Sequence, residues 1–492
     1  MHIIHLAAEF SPIAKIGGLG DVVSGLSKAL VAKGEKVEVI LPFYDHIDRS
    51  QLKNCTMHFE YVLSFQNRKQ CKNKVWITQV EGVSLLFIEP ENNYFKRGVI
   101  YGEEDDHERF IYFAWAALEY LLQAGKKSFA LHLHDWHTAL AAFLYYEKYC
   151  GLGLEIKGIV TTIHNIKYQG ICYPKFLSQI GLHLSTSAQD QLQDHTHPHK
   201  INLLKGALIY SDMLTTVSPS YAEEIKKGGG FGLESFIKKR AKTFRGIVNG
   251  IDTQYWNPQT DPCLKKNYLP HMNSIDQVLD AKRKNREVLN QITHIENHFT
   301  MPLFVCITRL VHQKGPEMIK FGVEYILKQG GQFILLASAC QRDMQKEFDA
   351  LEKKYKKNPH VYFDFVFNEK LAHLSFAAAD SILIPSLFEP CGLTQMIALS
   401  YGTIPIVHKV GGLKDTIFDI DDHSFSLTKR NGYTFDLPSN DSLRCAIDRA
   451  FKHYKNDTPI WRKMMINGFS KDWSWAGPAT EYFKIYRNLF CS

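Results

Sequence analysis

The sequence predicts an α/β protein built from two doubly wound domains, each a parallel sheet with helices on both faces. Three observations predict it. Short apolar runs alternate with stretches of helical spacing, the pattern of a parallel sheet buried on both sides. This rhythm occurs in two series, one over residues 3–217 and one over 303–407. The length, 492 residues, exceeds what one hydrophobic core usually serves.

In the first series, Ile3 to Ala8 reads as a strand, Lys15 to Gly20 as a glycine-rich turn and Val22 to Ala32 as a helix. Val37 to Leu41 is the next strand, which completes a βαβ unit. Phe110 to Leu122 is the longest apolar stretch; Glu119 interrupts it, and it reads as a buried helix rather than a membrane span. Phe129 to Leu133 is a strand, Thr138 to Tyr149 a helix, and Gly158 to Ile163 and Leu214 to Val217 are further strands. In the second series the strands are Leu303 to Thr308, Phe333 to Ala337, Val361 to Val366, Ser381 to Pro385 and Ile404 to Val407. The helices between them are Pro316 to Lys328, Arg342 to Lys356, Glu369 to Ala379 and Leu393 to Tyr401. The turn-rich segment Asn249-Gly250-Ile251-Asp252 marks the division, giving domains over 1–250 and 251–473. The polar stretch 253–300 carries one helix, Ile275 to Asn290.

Composition excludes several function classes. Apolar residues are 45% and charged residues 22%, ordinary for a globular chain. The net charge of +7 suits an enzyme of anionic phosphates, but no basic block or aromatic-basic array points to nucleic acid. Lys353, Lys354, Lys356 and Lys357 read as a solvated helix face. The ten cysteines form no C-x-x-C pair, which speaks against zinc knuckles and redox motifs. Met1-His2-Ile3-Ile4-His5 has no signal-peptide character, so a reducing, cytoplasmic location is expected.

Ligands of open parallel sheets bind beyond the carboxyl ends of the strands, so the loops there are the places to search. Lys15-Ile16-Gly17-Gly18-Leu19-Gly20-Asp21 follows the first strand and opens a helix. Glycines there let backbone N–H groups approach a phosphate, or simply make a tight turn. Thr308 to Gly315 places Arg309 and Lys314 beyond a strand end, where two cations can clamp a diphosphate or be merely solvated. Ser386 to Thr394 joins a strand to a helix and sets Glu389 beside Cys391, Gly392, Leu393 and Thr394. Its free N–H groups can hold a phosphate oxygen, and Glu389 either binds sugar hydroxyls or stabilises positive charge; the plain alternative is a capped helix. His132, His134 and His137 raise a metal site as a minority reading. Alternation points His132 and His134 to one face, and Asp135 is expected to cap the following helix. Asp419-x-Asp421 is a D-x-D in what reads as a solvated loop.

Taken together, the motifs resemble the retaining glycosyltransferases of the glycogen and starch synthase family, almost end to end. The first half carries K-x-G-G-L-G-D at Lys15 to Asp21, H-D-W-H at His134 to His137, H-N-x-x-Y-Q-G at His164 to Gly170, T-V-S-P-S-Y at Thr216 to Tyr221 and N-G-I-D at Asn249 to Asp252. The second carries T-R-L-x-x-Q-K-G at Thr308 to Gly315 and F-E-P-C-G-L-T-Q at Phe388 to Gln395. The resemblance implies the GT-B architecture, two facing Rossmann-like domains with the active site between them, the first on the acceptor side and rejoined by a last helix over 474–492, the second on the donor side. It implies transfer of glucose from ADP-glucose to the non-reducing end of an α-1,4-glucan, without metal or cofactor. His164, Arg309, Lys314 and Glu389 are then catalytic. Lys15, Gly17, Gly18, Asp21, Asp135, Asn165, Asn249 and Cys391 to Thr394 bind the donor. The family commonly has arginine where this chain has Leu387 and His408, which keeps UDP-glucose open as donor. A non-catalytic binder of glucan or nucleotide sugar on the same fold is the other alternative.

Overall fold

The computed structural model describes residues 1–65, 69–179, 190–271, 275–339, 342–366 and 368–491. The chain divides into two compact units, Met1–Gly250 with Trp475–Ser492, and Ile251–Ser474.

The first unit carries β1 (His2–Leu6), β2 (Lys36–Pro42), β3 (Thr56–Ser64), β4 (Gln70–Val80), β5 (Val83–Pro90), β6 (Phe129–His134), β7 (Ile156–Ile163), a short ribbon of β8 (Ile171–Cys172) and β9 (Ile201–Asn202), then β10 (Met213–Thr216) and β11 (Phe244–Gly246). Its large sheet runs β11-β10-β7-β6-β1-β2-β5-β4-β3. From β11 to β5 every pairing is parallel. These central strands are the continuous apolar runs of the sequence, as strands covered on both faces must be.

β3 and β4 extend this sheet antiparallel and, like β5 and β11, were not expected from the sequence. The β4–β5 hairpin turns on Glu81 and Gly82, with φ of 49° and 81°, the two-residue turn that suits strand twist. The buried helix Asp106–Gln123 covers this extension; Tyr61 donates to the Ala116 carbonyl and Tyr112 to Asn73. The helix expected over Thr138 to Tyr149 begins at Trp136, is regular to Leu144 and ends in a π-helical turn, Tyr145–Tyr149.

The helix Ala476–Cys491 belongs to this unit. Gly25, on the helix Gly18–Ala32, lies under the Trp475 indole; a Cβ there would stand 2.0 Å from Nε1. That residue must be glycine because the two elements meet backbone to ring.

The second unit is one parallel sheet, β14-β13-β12-β15-β16-β17, of β12 (Leu303–Leu310), β13 (Gln332–Ala339), β14 (Val361–Asp364), β15 (Ser381–Ile384), β16 (Ile404–His408) and β17 (Tyr433–Phe435). The helix Ile275–Thr293 is fastened to it by two buried cations. Lys282 donates to the Tyr401 carbonyl and Thr403 Oγ1, and burial pushes its pKa down to about 7. Arg286 reaches the Met301 carbonyl, Gln332 and Asp380. No helix of the described residues is long and apolar enough to cross a membrane.

Candidate active site

Each sheet reverses its strand order at one place, between β1 and β6 in the first unit and between β12 and β15 in the second. A crevice opens beyond the carboxyl ends of the strands at such a point. Four of the motifs singled out in the sequence follow these four strands, and H-N-x-x-Y-Q-G follows the next strand, β7.

After β1, Glu9 is buried and its Oε2 accepts the N–H groups of Ile16 (2.8 Å) and Gly17 (2.9 Å), while Tyr101 donates to Oε1. This carboxylate gives the glycine loop its shape. Gly17 then precedes the helix Gly18–Ala32 with no side-chain cap, so the helix begins on bare backbone, which favours an anion. Lys15 and Asp21 form a half-exposed ion pair at 2.8 Å.

After β6, Asp135 has φ 57° and ψ −171°, backbone strain of about 1–3 kcal/mol for a residue with a Cβ. The expected helix cap is not made. The left-handed turn swings the carboxylate across to the end of β7, where Oδ1 accepts the N–H groups of His164 (2.7 Å) and Asn165 (3.3 Å). Asp135 thereby joins the H-D-W-H and H-N-x-x-Y-Q-G motifs. Burial raises its pKa to about 7, against the lowering by these two N–H groups.

The three histidines of the H-L-H-D-W-H stretch separate. His137 is packed among Tyr101, Phe110 and Trp136. His132 and His134 share a face, as alternation requires, and meet His5 from the neighbouring strand, so that one nitrogen of each lies within 4.8 Å of the others. Their hydrogen bonds account for the gathering. His132 contacts Tyr486 Oη (2.7 Å) and Thr162 Oγ1 (2.6 Å), and His134 stands between His5 and His164 at 2.9 Å from each. Burial lowers the pKa of all of them, to about 3 at His5 and His164.

The His164 loop is held from several motifs. Trp136 packs on Gly170, where φ is 64° and a Cβ would lie 2.5 Å from the indole. Gln169 donates to the carbonyls of Ile166 and Phe231, and Tyr221 accepts the Ile166 N–H. Asn249 follows the edge strand β11; its Oδ1 is buried and meets no partner among the described residues.

In the second unit the loops after β12 and β15 are laced together. The Leu387 N–H donates to the Gln313 carbonyl, and Gln313 Nε2 to the Phe388 carbonyl. Gly315 has φ 68°, and a Cβ there would lie 2.2 Å from the Pro385 carbonyl. Lys314 Nζ meets Glu389 Oε2 at 2.5 Å; Ser386 donates to the same oxygen at 2.9 Å. Arg309 is exposed at the end of β12. Gly392 turns with φ 75°, its carbonyl and that of Cys391 accept from Gln395, and the helix Thr394–Ser400 follows with no side-chain cap at Leu393.

His408, where the family commonly has arginine, is buried, with Nδ1 2.7 Å from the Ser386 carbonyl and Nε2 3.2 Å from that of Asp436. Its ring supports the Glu389 loop from behind. Asp419 does not lie in a solvated loop. It is buried and grips Arg449 at 2.6 Å and 3.0 Å, and the same guanidinium takes Asp421. Arginine has filled the place a cation would need.

Sequence reasoning missed Glu9, His5 and Ser386. Glu9 had a readable signal, a carboxylate just past a strand end and before a glycine loop. His5 and Ser386 had none, His5 being one residue within β1 and Ser386 one just past β15.

Comparison with known proteins fits this layout. The model of the starch synthase catalytic domain matches residues 2–239, and that of glycosyl transferases group 1 matches 291–464. A glycogen synthase of Protochlamydia amoebophila is 43% identical over 99% of both chains. The chain belongs to the glycogen and starch synthase family. A probable starch synthase 4 of Arabidopsis thaliana is 44% identical over 99% of this chain, which spans 47% of that longer protein. Among solved structures, the catalytic domain of starch synthase IV from Arabidopsis thaliana, bound to ADP and acarbose, superposes with a TM-score of 0.94 at 42% identity, covering 100% of this chain and 99% of that one. A sucrose-phosphate synthase from Thermosynechococcus elongatus, at 17% identity and a TM-score of 0.63 over 99% of both chains, shares the GT-B fold.

Proposed function

We propose that the protein transfers glucose from ADP-glucose to the non-reducing end of an α-1,4-glucan, with retention of configuration, in the cytoplasm as part of glycogen synthesis. The observation that carries the reading is the Lys314–Glu389–Ser386 cluster at the reversal point of the second sheet, with Arg309 exposed near the end of β12. Breaking a glycosyl–phosphate bond leaves negative charge on the diphosphate and positive charge on the sugar. Cations fixed before the reaction stabilise the first without reorganisation and without a metal. Glu389, its charge already directed by Lys314 and Ser386, faces the second. The second unit is accordingly the donor side. The family resemblance assigns Lys15, Gly17, Gly18, Asp21, Asp135, Asn165, Asn249 and His164 of the first unit to binding of the donor and of the sugar being transferred. The solved relative that binds ADP and acarbose supports an adenine donor and a glucan acceptor. Free thiols at all nine described cysteines suit a reducing compartment.

UDP-glucose is kept as a second donor because Leu387 cannot pair with a phosphate. The test is release of nucleoside diphosphate with glycogen from each donor, with and without chelator. Turnover on ADP-glucose that chelator leaves unchanged is expected. Binding of the donor without turnover, or turnover only with added metal, refutes the proposal.

A further inference from the structure

We propose that His5 and His134 are positioning residues that fix the tautomer of His164, through a file of three rings that places the His164 proton on Nδ1. The file runs from His5 Nδ1 to His134 Nε2 (2.9 Å) and from His134 Nδ1 to His164 Nε2 (2.9 Å). Its functional weight rests on the proposal above that His164 meets the donor sugar; its geometry does not.

In each link one nitrogen donates and the other accepts, and a neutral imidazole has one N–H to give. Burial keeps the three rings neutral. The file therefore has two polarities. With every proton pointing inward, His164 gives from Nε2, His134 gives from Nε2, and His5 must carry its proton on its own Nε2. That nitrogen is fully buried and has no hydrogen-bond partner. With every proton pointing outward, His5 gives from Nδ1, His134 gives from Nδ1, and His164 accepts at Nε2. The orphan on His5 is then a bare lone pair. A buried N–H without an acceptor is the rarer and more costly defect, so the outward polarity is favoured.

The consequence lies at the outer end. His164, half-buried and fixed at its backbone by Asp135, must hold its proton on Nδ1, the nitrogen left outside the file. It presents a hydrogen-bond donor there and has no lone pair on that side. His164 thus grips an oxygen of the sugar, and it cannot take the proton of the attacking hydroxyl at Nδ1. The dead end at His5 Nε2, more than a hundred residues earlier in the chain, sets this choice.

The experiment uses the full chain labelled with ¹⁵N-histidine. Long-range ¹H–¹⁵N correlation distinguishes a protonated from a bare ring nitrogen, and a His164→Gln spectrum assigns the resonance. The wild type should show His164 protonated on Nδ1 and bare on Nε2. His5→Phe removes the donor but supplies no acceptor opposite His134 Nε2, so by the same rule that nitrogen stays bare and the Nδ1 proton of His164 should persist. His5→Met puts there a sulfur that accepts and cannot donate, so His134 can protonate Nε2, the His164 proton should shift towards Nε2, and kcat should fall by up to about tenfold, the worth of one oriented hydrogen bond. A proton on Nε2 of His164 in the wild type overturns the proposal, even where His5→Met does not fold. So does a His164 signal that folded His5→Met leaves unmoved. His164 correctly protonated on Nδ1, with His164→Gln fully active, instead refutes the catalytic reading of His164 and leaves the file standing.

Discussion

Mild acid should open the first unit selectively. His5, His132, His134 and His137 are buried and held neutral, with pKa values lowered by burial, to about 3 at His5 and His137 and well below normal at the other two; half-buried His164 adds a smaller share. In the unfolded chain each titrates near 6.5. A folded pKa below the unfolded one means that stability is present above pH 6.5 and is lost as pH falls towards 3, because the unfolded chain binds protons the folded one refuses. Each buried histidine removes about 1.4 kcal/mol per pH unit below 6.5, so lowering the pH from 7.5 to 5.5 costs about 5–7 kcal/mol in all. Asp135 acts in the opposite sense. Its folded pKa is raised to about 7, so its contribution is fully present below the unfolded value near 4 and is lost as pH rises through 7; the same acidification returns about 2 kcal/mol. The net loss, about 3–5 kcal/mol, is a large part of the 5–15 kcal/mol that typically holds a domain together. The assay is hydrogen exchange of amides in β1, β6 and β7 at the two pH values, corrected for the intrinsic pH dependence of exchange. The opening free energy of these strands should fall by about the net amount, and that of β12 and β15 by far less. Equal protection of β1 and β6 at both pH values would refute the reasoning.

Other consequences are as direct. Arg309→Ala or Lys314→Ala should lower kcat by on the order of 10²–10³, the usual loss for one fixed charge stabiliser, and unchanged turnover in both folded variants would remove them from the mechanism. Gly25→Ala must displace the Trp475 indole, at a cost of about 1–3 kcal/mol; the denaturant midpoint and the exchange of the helix Ala476–Cys491 should both fall, and neither would if the contact were idle. Leu387→Arg alone should sharpen the kcat/KM preference between ADP-glucose and UDP-glucose, since His408 is engaged with carbonyl oxygens; an unaltered ratio would show that this position does not read the donor.

Most parallel strands were legible because a parallel sheet buried on two faces writes itself as apolar runs, as at Leu303 to Thr308 and Ile404 to Val407; β5 and the short edge strands β11 and β17 were not read. The antiparallel extension was not, because β3 alternates imperfectly: its register breaks between Met57 and Phe59. Loop motifs named the candidate site residues but not what orients them. Asp135 reads as a cap only if its backbone is extended, and a φ of 57° sends its carboxylate elsewhere. Asp419 looked solvated because Arg449 stands 30 positions further along. The meeting of His5 with His134 spans 129 positions. Such pairings are set by strand order, which local spacing does not encode.

The contact between Gly25 and Trp475 also sets an order of events during synthesis. The second unit is one continuous stretch of chain, and the ribosome delivers all of it before Trp475 emerges. The first unit, begun at β1, keeps the face of the helix Gly18–Ala32 uncovered, and Tyr486 absent from His132, until those last residues arrive. The half that is made first is therefore the half that finishes folding last. While translation continues, its open face is the part of the nascent chain that most needs shielding from neighbours.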